Sequence, residues 1–202
     1  MHRKTAVRRL RTIAEHCDNV NRFPDDEPVL IGAYVFGELL DTSSDVDFLR
    51  MAFVLDAPAG ELTWCSRPQS YGWLEHMLEL HKTSVAWFWR PSVWPVWNHY
   101  IKRPLRIWSI DGAESEALDA LAGGDAEAYR LPAPSPEAEA EQLHEELAAS
   151  RAHLRHVREH YWGREWRSQH KGRGTYPEHH MWNAVDGYFD LLDAVDGGQR
   201  AE

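Results

Sequence analysis

The chain opens on a helical pattern. Val7, Leu10, Ala14, Cys17 and Val20 recur three and four residues apart, with Arg3, Lys4, Arg8, Arg9 and Arg11 around them. That is the stripe of an amphipathic helix over 3–22, stopped by Pro24 and the Asp25-Asp26 pair. Residues 29–40 form an apolar run, β-branched at first, between Pro28 and the polar Asp41-Thr42-Ser43-Ser44; the run predicts a buried strand. A second strand is expected over 45–55, closed by the turn residues Ala57-Pro58-Ala59-Gly60. Residues 71–82 place Trp73, Met77 and Leu80 on one helical face, 85–91 are aromatic and extended, and 105–110 make a short strand after Pro104.

Three prolines at alternate positions, Pro132, Pro134 and Pro136, hold an extended connection. Ser135 before Pro136 is a helix start with proline at the first helical position. A long helix then runs to about Trp166, striped by Leu143, Leu147, Leu154, Val157 and Tyr161. Lys171-Gly172-Arg173-Gly174 turns the chain into a last helix that ends at Gly197-Gly198, with Trp182, Val185, Phe189 and Leu192 expected inward. The order of elements predicts an α+β fold: a small mixed β-sheet flanked by helices over 1–131, then an α-helical hairpin over 137–202. A hairpin below ~70–80 residues needs a surface to pack on, either the first part or a second copy of the chain.

Composition narrows the class. At 202 residues, with 43% hydrophobic and 27% charged positions, the chain is too apolar for disorder. Its longest uncharged apolar run, 28–37, falls far short of the ~20 residues of a spanning helix, so no membrane partner is expected. The first seventeen residues carry five Arg/Lys and no apolar segment, unlike a secretory signal. Two cysteines, Cys17 and Cys65, are too few for a disulfide scaffold; a reduced, cytoplasmic protein is the expectation. The net charge of −10 comes in blocks: +4 over 1–22, −10 over 111–148, +5 over 151–173 and −5 over 178–202. Such a chain is a poor general binder of duplex DNA, where phosphate neutralisation drives affinity. Its blocks are solvated helix faces, or the two basic ones converge on a phosphate-bearing ligand. Seven of the ten tryptophans lie between Trp64 and Trp108, which reads as core, or alternatively as a partner surface.

The candidate chemistry sits at Gly37-Glu38-Leu39-Leu40-Asp41-Thr42-Ser43-Ser44-Asp45-Val46-Asp47. A buried strand ends in glycine, a short polar loop follows, and the next strand opens with Asp-x-Asp. Residues i and i+2 of a strand share a face, so Asp45 and Asp47 would project together and share divalent cations. Mg²⁺ suits one or two carboxylates plus substrate phosphates, and paired metals clamp both oxygens of a nucleotidyl transfer. This arrangement resembles the nucleotidyltransferase superfamily, with its strand, small-residue turn and Asp-x-Asp strand. The resemblance implies Gly37, Glu38, Ser43 and Ser44 at the nucleotide, Asp45 and Asp47 on Mg²⁺, and a third acid from a later strand. Asp56 would lie on the opposite strand face, which leaves Asp111 after the 105–110 strand. The implied reaction moves a nucleotidyl group from an NTP to a small-molecule or protein hydroxyl. Glu38 stands where the superfamily has a small residue, and the spacer to Asp45 is short; a degenerate, non-catalytic copy is the other form of this expectation. The run Trp94-Pro95-Val96-Trp97-Asn98-His99-Tyr100-Ile101-Lys102-Arg103-Pro104, with 52–56, looks like an uncharacterised bacterial family of unknown function.

Two further readings use other residues. The Trp-rich segment and the acidic linker would present a partner or homodimer surface. On the long helix, His153, His156 and His160 fall on one flank at 100° per residue, where His179 or His180 of the last helix would complete a metal site. Arg151, Arg155 and Arg158 fall on the other flank, opposite a row of Asp186, Asp190 and Asp193 on the last helix, spaced for an inter-helix charge ladder.

Overall fold

A computed structural model describes residues 1–22, 29–42, 45–82, 84–172 and 175–199. The helix stop at Pro24 to Asp26, the proposed nucleotide contacts Ser43 and Ser44, and the Arg173-Gly174 half of the later turn lie outside the described residues. The chain divides into two compact units, Met1–Asp56 with Trp73–Ala133, and Ala57–Gly72 with Pro134–Glu202.

The first unit is built on a five-stranded mixed sheet. Its strands are β1 (Leu30–Phe36), β2 (Leu49–Leu55), β3 (Val85–Pro91), β4 (Leu105–Ser109) and β5 (Gly112–Ala113), in the order β3-β2-β1-β4-β5. Neighbours are antiparallel except β2 and β3. A parallel pair needs a crossover, and that crossover contains Ala57–Gly72, which joins the other unit, and α3 (Gly72–Met77). Strand β2 is apolar along most of its length because all but Arg50 of its residues are buried. Helix α1 (Arg3–Val20) buries Ala6, Val7, Leu10, Ile13, Ala14, Cys17 and Val20. It is tied to β4 where Trp108 Nε1 donates to Asp18 at 2.7 Å. Helix α4 (Ser115–Gly123) follows β5 and ends on Gly124 in the left-handed region. Trp89, Trp94 and Trp108 are buried and Trp73, Trp87 and Trp97 half-buried, so half of these six tryptophans are core.

The second unit holds α5 (Pro136–His160), α6 (Arg164–Gln169) and α7 (Pro177–Gln199). Ser135 caps α5 as its sequence predicts: the Ala138 amide donates to Ser135 Oγ at 3.2 Å, with Pro136 in the first turn. The long helix does not run unbroken to Trp166. It ends at His160, and Gly163, whose amide donates to the His160 carbonyl at 2.8 Å, starts α6. Val157, Trp166 and Ala184 form the buried centre of the three helices, with Leu154, Tyr161 and Met181 against it. The Ala57–Gly72 segment lies on α7: Trp64 Nε1 donates to Asp190 Oδ2 at 2.6 Å. A side chain at Gly187 would stand 2.1 Å from the Trp64 carbonyl oxygen, so only glycine lets the two backbones approach this closely. The stripe expected inward on α7 is turned the other way, with Trp182 70% and Phe189 53% exposed. Among the described residues no helix is long and apolar enough to cross a membrane.

Candidate functional site

The glycine corner forms where the sequence places it. Gly37 follows β1 with φ 77°, a conformation L side chains rarely adopt, and α2 (Glu38–Asp41) starts there. Glu38 is ion-paired with Arg50, its Oε1 3.3 Å from Arg50 Nη2. Strand β2 begins at Leu49, not at residue 45. Asp45 and Asp47 therefore precede the strand, and the i, i+2 alternation that would align them does not apply. Asp45 pairs with His2 Nδ1 at 2.7 Å, and Asp47 is exposed.

Asp111 is at the other end of the sheet. Phe36, at the end of β1, faces Arg50 at the start of β2, whereas Gly32, near the beginning of β1, faces Ser109 at the end of β4. Four residues along β1 separate the two positions by ~13 Å at ~3.3 Å per residue. Asp47 and Asp111 extend outward from opposite ends of that interval. Neither strand beside β2 carries an acid, since β1 reads LIGAYVF and β3 VAWFWRP. The structure brings Gly37, Glu38, Asp45 and Asp47 to one corner and does not bring Asp111 to them. Among the described residues no three His, Cys, Asp or Glu side chains are grouped as a metal-holding set.

A different set of side chains does converge, inside the second unit. A cavity of about 710 Å³ is walled by α5, α6, α7 and the Ala57–Gly72 segment. Helix α5 presents Ala149, Ala152, His153 and His156 to it, the three-and-four spacing of one face. Helix α6 adds Trp166 and, just past its end, His170; α7 adds His180 and Asn183; the loop segment adds Ser66, Arg67, Gln69 and Ser70. The His170 ring stacks on Trp166, centroids 4.0 Å apart and 20° from parallel. Its Nδ1 is hydrogen-bonded to the Trp166 carbonyl oxygen at 2.8 Å, which fixes the ring. His180 meets His170 edge-on at 4.7 Å.

Two of the lining imidazoles, His180 and His153, are shifted toward the neutral form. Burial, with His170, His153 and His179 nearby, lowers the His180 pKa to about 4. His153 is shifted down for the same reasons, burial first and then His156 and His170. The buried Nε2 of His180 has no hydrogen-bond partner among the described groups, and a buried polar atom left unpaired is costly. The pocket offers no cysteine nucleophile. The Cys65 thiol, beside Asp186 and Asp190, is pushed up to about 12, by burial before charge, and stays protonated.

The histidine row of α5 divides. His153 and His156 line the cavity, while His160, its ring tilted against His156 at 4.3 Å, turns its Nδ1 to the His156 carbonyl. His180 is in the cavity and His179 packs edge-on against Tyr176. Sequence reasoning missed Trp166, His170 and the whole loop wall. Their signal was faint: alanines at 149 and 152 leave room on the His153 flank. In the sequence comparisons, the family described as a domain of unknown function, DUF7711, matches residues 1–197. Neither a curated protein nor a solved structure matches the chain.

Proposed function

The chain belongs to the DUF7711 family, and we propose that it binds a small, polar, ring-bearing molecule in the histidine-lined pocket of its second unit. The observation that carries this reading is His180: a neutral imidazole in the cavity wall whose buried Nε2 is unpaired, beside the rigid Trp166–His170 stack. The cavity volume lies within the ~300–1,000 Å³ typical of ligand sites. A flat heteroaromatic ring stacks on aromatic surface, and its ring N–H or nitrogen supplies the complement a neutral imidazole lacks.

Magnesium-dependent nucleotidyl transfer at Asp45 and Asp47 has the glycine corner and the mixed sheet in its favour. It lacks a third acid on either strand beside β2, and Glu38 is already paired with Arg50. One thermal-shift experiment compares the two readings, because a ligand that binds the native state raises Tm by mass action. Adenine and nicotinamide are the heteroaromatic probes, and ATP with Mg²⁺ is the second arm. The pocket reading expects a rise in Tm with a heteroaromatic probe that His180→Phe weakens about tenfold in affinity. No rise with either probe overturns it. A rise with ATP and Mg²⁺ that the Asp45→Asn, Asp47→Asn double variant abolishes moves the function to the corner.

A further inference from the structure

The block of +5 over 151–173 resolves into two groups of cations within the second unit. Arg151, Arg155 and Arg158, four and three residues apart on α5, share one exposed helix face. Arg164, Arg167 and Lys171 line a cleft of about 430 Å³ together with Ser168, Tyr176 and Glu178. The cleft forms because the Gly172 amide donates to the Thr175 carbonyl at 3.2 Å and the Thr175 amide to the Gly172 carbonyl at 2.9 Å. That pair of bonds returns the chain from the end of α6 to the start of α7. The face of α6 in the cleft is opposite the one that turns Trp166 and His170 to the histidine pocket.

Arg167 is a fixed post in this cleft. Its Nη2 donates to Glu178 Oε1 at 2.8 Å, and its guanidinium lies 5.1 and 5.8 Å from the ring centroids of Tyr161 and Trp162. The ion pair neutralises the acid that lines the cleft, and the second ring contact stands Trp162, 81% exposed, at the cleft's edge. Tyr161 keeps helical backbone angles, φ −50° and ψ −39°, so Trp162 follows Arg158 by four residues on the face of the arginine row. Tyr176, in the cleft wall, is 51% exposed. The other cations are uncommitted. The ladder expected between the arginine row and Asp186, Asp190 and Asp193 does not form: among the described residues Arg151, Arg155, Arg158, Arg164 and Lys171 make no ion pair.

We propose that this strip binds single-stranded nucleic acid, with phosphates along Arg151, Arg155 and Arg158 and in the cleft on Arg164 and Lys171, and bases on Trp162 and Tyr176. Exposed rings interleaved with unpaired cations are the means by which single strands are held without sequence preference. The rings decide against other polyanions. An acidic peptide would use the cations and leave both rings in water. A duplex keeps its bases stacked on one another and offers none to Trp162. The span also suits a strand: Arg151 to Trp162 covers ~16 Å at ~1.5 Å per residue, and the cleft continues it, which gives room for a run of phosphates. The acids beside the strip, Glu159 and Glu165, are each ~100° round the helix from the cation that precedes them.

The test is fluorescence anisotropy of a labelled oligouridylate titrated with the full chain over a series of salt concentrations. Binding is expected at low salt, with log Kd rising against log salt at a slope of about 3.5, or ~0.7 for each free cation. No binding at low salt overturns the proposal. Arg164→Gln with Lys171→Gln is expected to lower that slope by about 1.4. Trp162→Ala is expected to weaken binding about tenfold and leave the slope unchanged, because a stacking ring carries no charge. All three side chains are exposed, so circular dichroism stays native in both variants. Affinity and slope that neither variant moves overturn the site. Poly-aspartate and duplex RNA are the competitors; displacement by either as readily as by the unlabelled single strand overturns the assignment to bases.

Discussion

His180 shows how a single imidazole couples the pocket to pH. Its ordinary pKa of 6.5 falls to about 4 in the folded chain, so between those values the unfolded state binds more protons than the native one. Stability then rises with pH over that window and is lost as pH falls from above 6.5 toward 4. His153, shifted the same way, adds to the slope. A thermal melt at pH 7 and again at pH 5 is expected to show Tm falling by several degrees. His180→Gln, which keeps polarity and removes the titration, is expected to flatten part of that fall; an unchanged slope would show that His180 does not carry it. Cys65 gives a second residue-level expectation. With its thiol pushed up to about 12 by burial and by Asp186 and Asp190, it should react with a maleimide at pH 8 far more slowly than a free thiol in the unfolded chain. Residue identity was legible for the histidines, since the helical wheel alone places His153 and His156 on one flank. It was not legible for His170, whose position depends on the break at Gly163 and on stacking over Trp166.

At the scale of elements, what a pattern reveals depends on whether the element's environment is local. The start of α5 was readable because its cap lies within four residues, the Ser135 hydroxyl on the Ala138 amide. Ser135→Ala is expected to cost about 1 kcal/mol, measurable by urea denaturation. The seam of α7 was readable as a seam, but not as the outward one. Periodicity finds a face and is silent on which side the rest of the chain takes. Small residues decide it here: Ala184 is buried against Val157 and Trp166, and Gly187 lets the Trp64 backbone come against the helix. Two glycine substitutions separate that contact from helix propensity. Gly187→Ala puts a methyl 2.1 Å from the Trp64 carbonyl oxygen and is expected to destabilise by ~3 kcal/mol or more. Gly197→Ala, in the same helix with nothing within 4 Å, is expected to gain up to ~1 kcal/mol. Equal effects at the two positions would remove the close approach of α7 to the loop. The Asp-x-Asp expectation set both acids inside a strand. Alternation holds only inside a strand, and β2 begins two residues after Asp47.

For the whole molecule the informative feature is discontinuity. The sequence has one evident break, at the prolines from 132 to 136, and division there gives an N-terminal part and a helical hairpin. The compact units do not follow that single cut, because Ala57–Gly72 leaves the β2–β3 crossover and joins the helices. Nothing in its composition marks it, since a polar, Pro- and Ser-bearing stretch reads as an ordinary surface loop. Its role depends on contacts distant in sequence: Trp64 to Asp190, and Ser66, Gln69 and Ser70 to the cavity wall. The hairpin alone therefore lacks both a hydrogen-bonded tryptophan and one side of its pocket, and at 134–202 it is below the ~70–80 residues for which a core suffices. A fragment of 134–202 is expected to keep helical circular dichroism but melt broadly, without a cooperative transition. Joining 57–72 to its N-terminus through a flexible linker is expected to sharpen the melt, and Trp64→Ala in that fusion to undo the gain. A sharp, cooperative melt of the bare fragment would mean that the loop only decorates the helices. The pocket would then lose its structural basis, because a wall the fold does not need has no reason to hold Gln69 and Ser70 in place opposite His153 and His180.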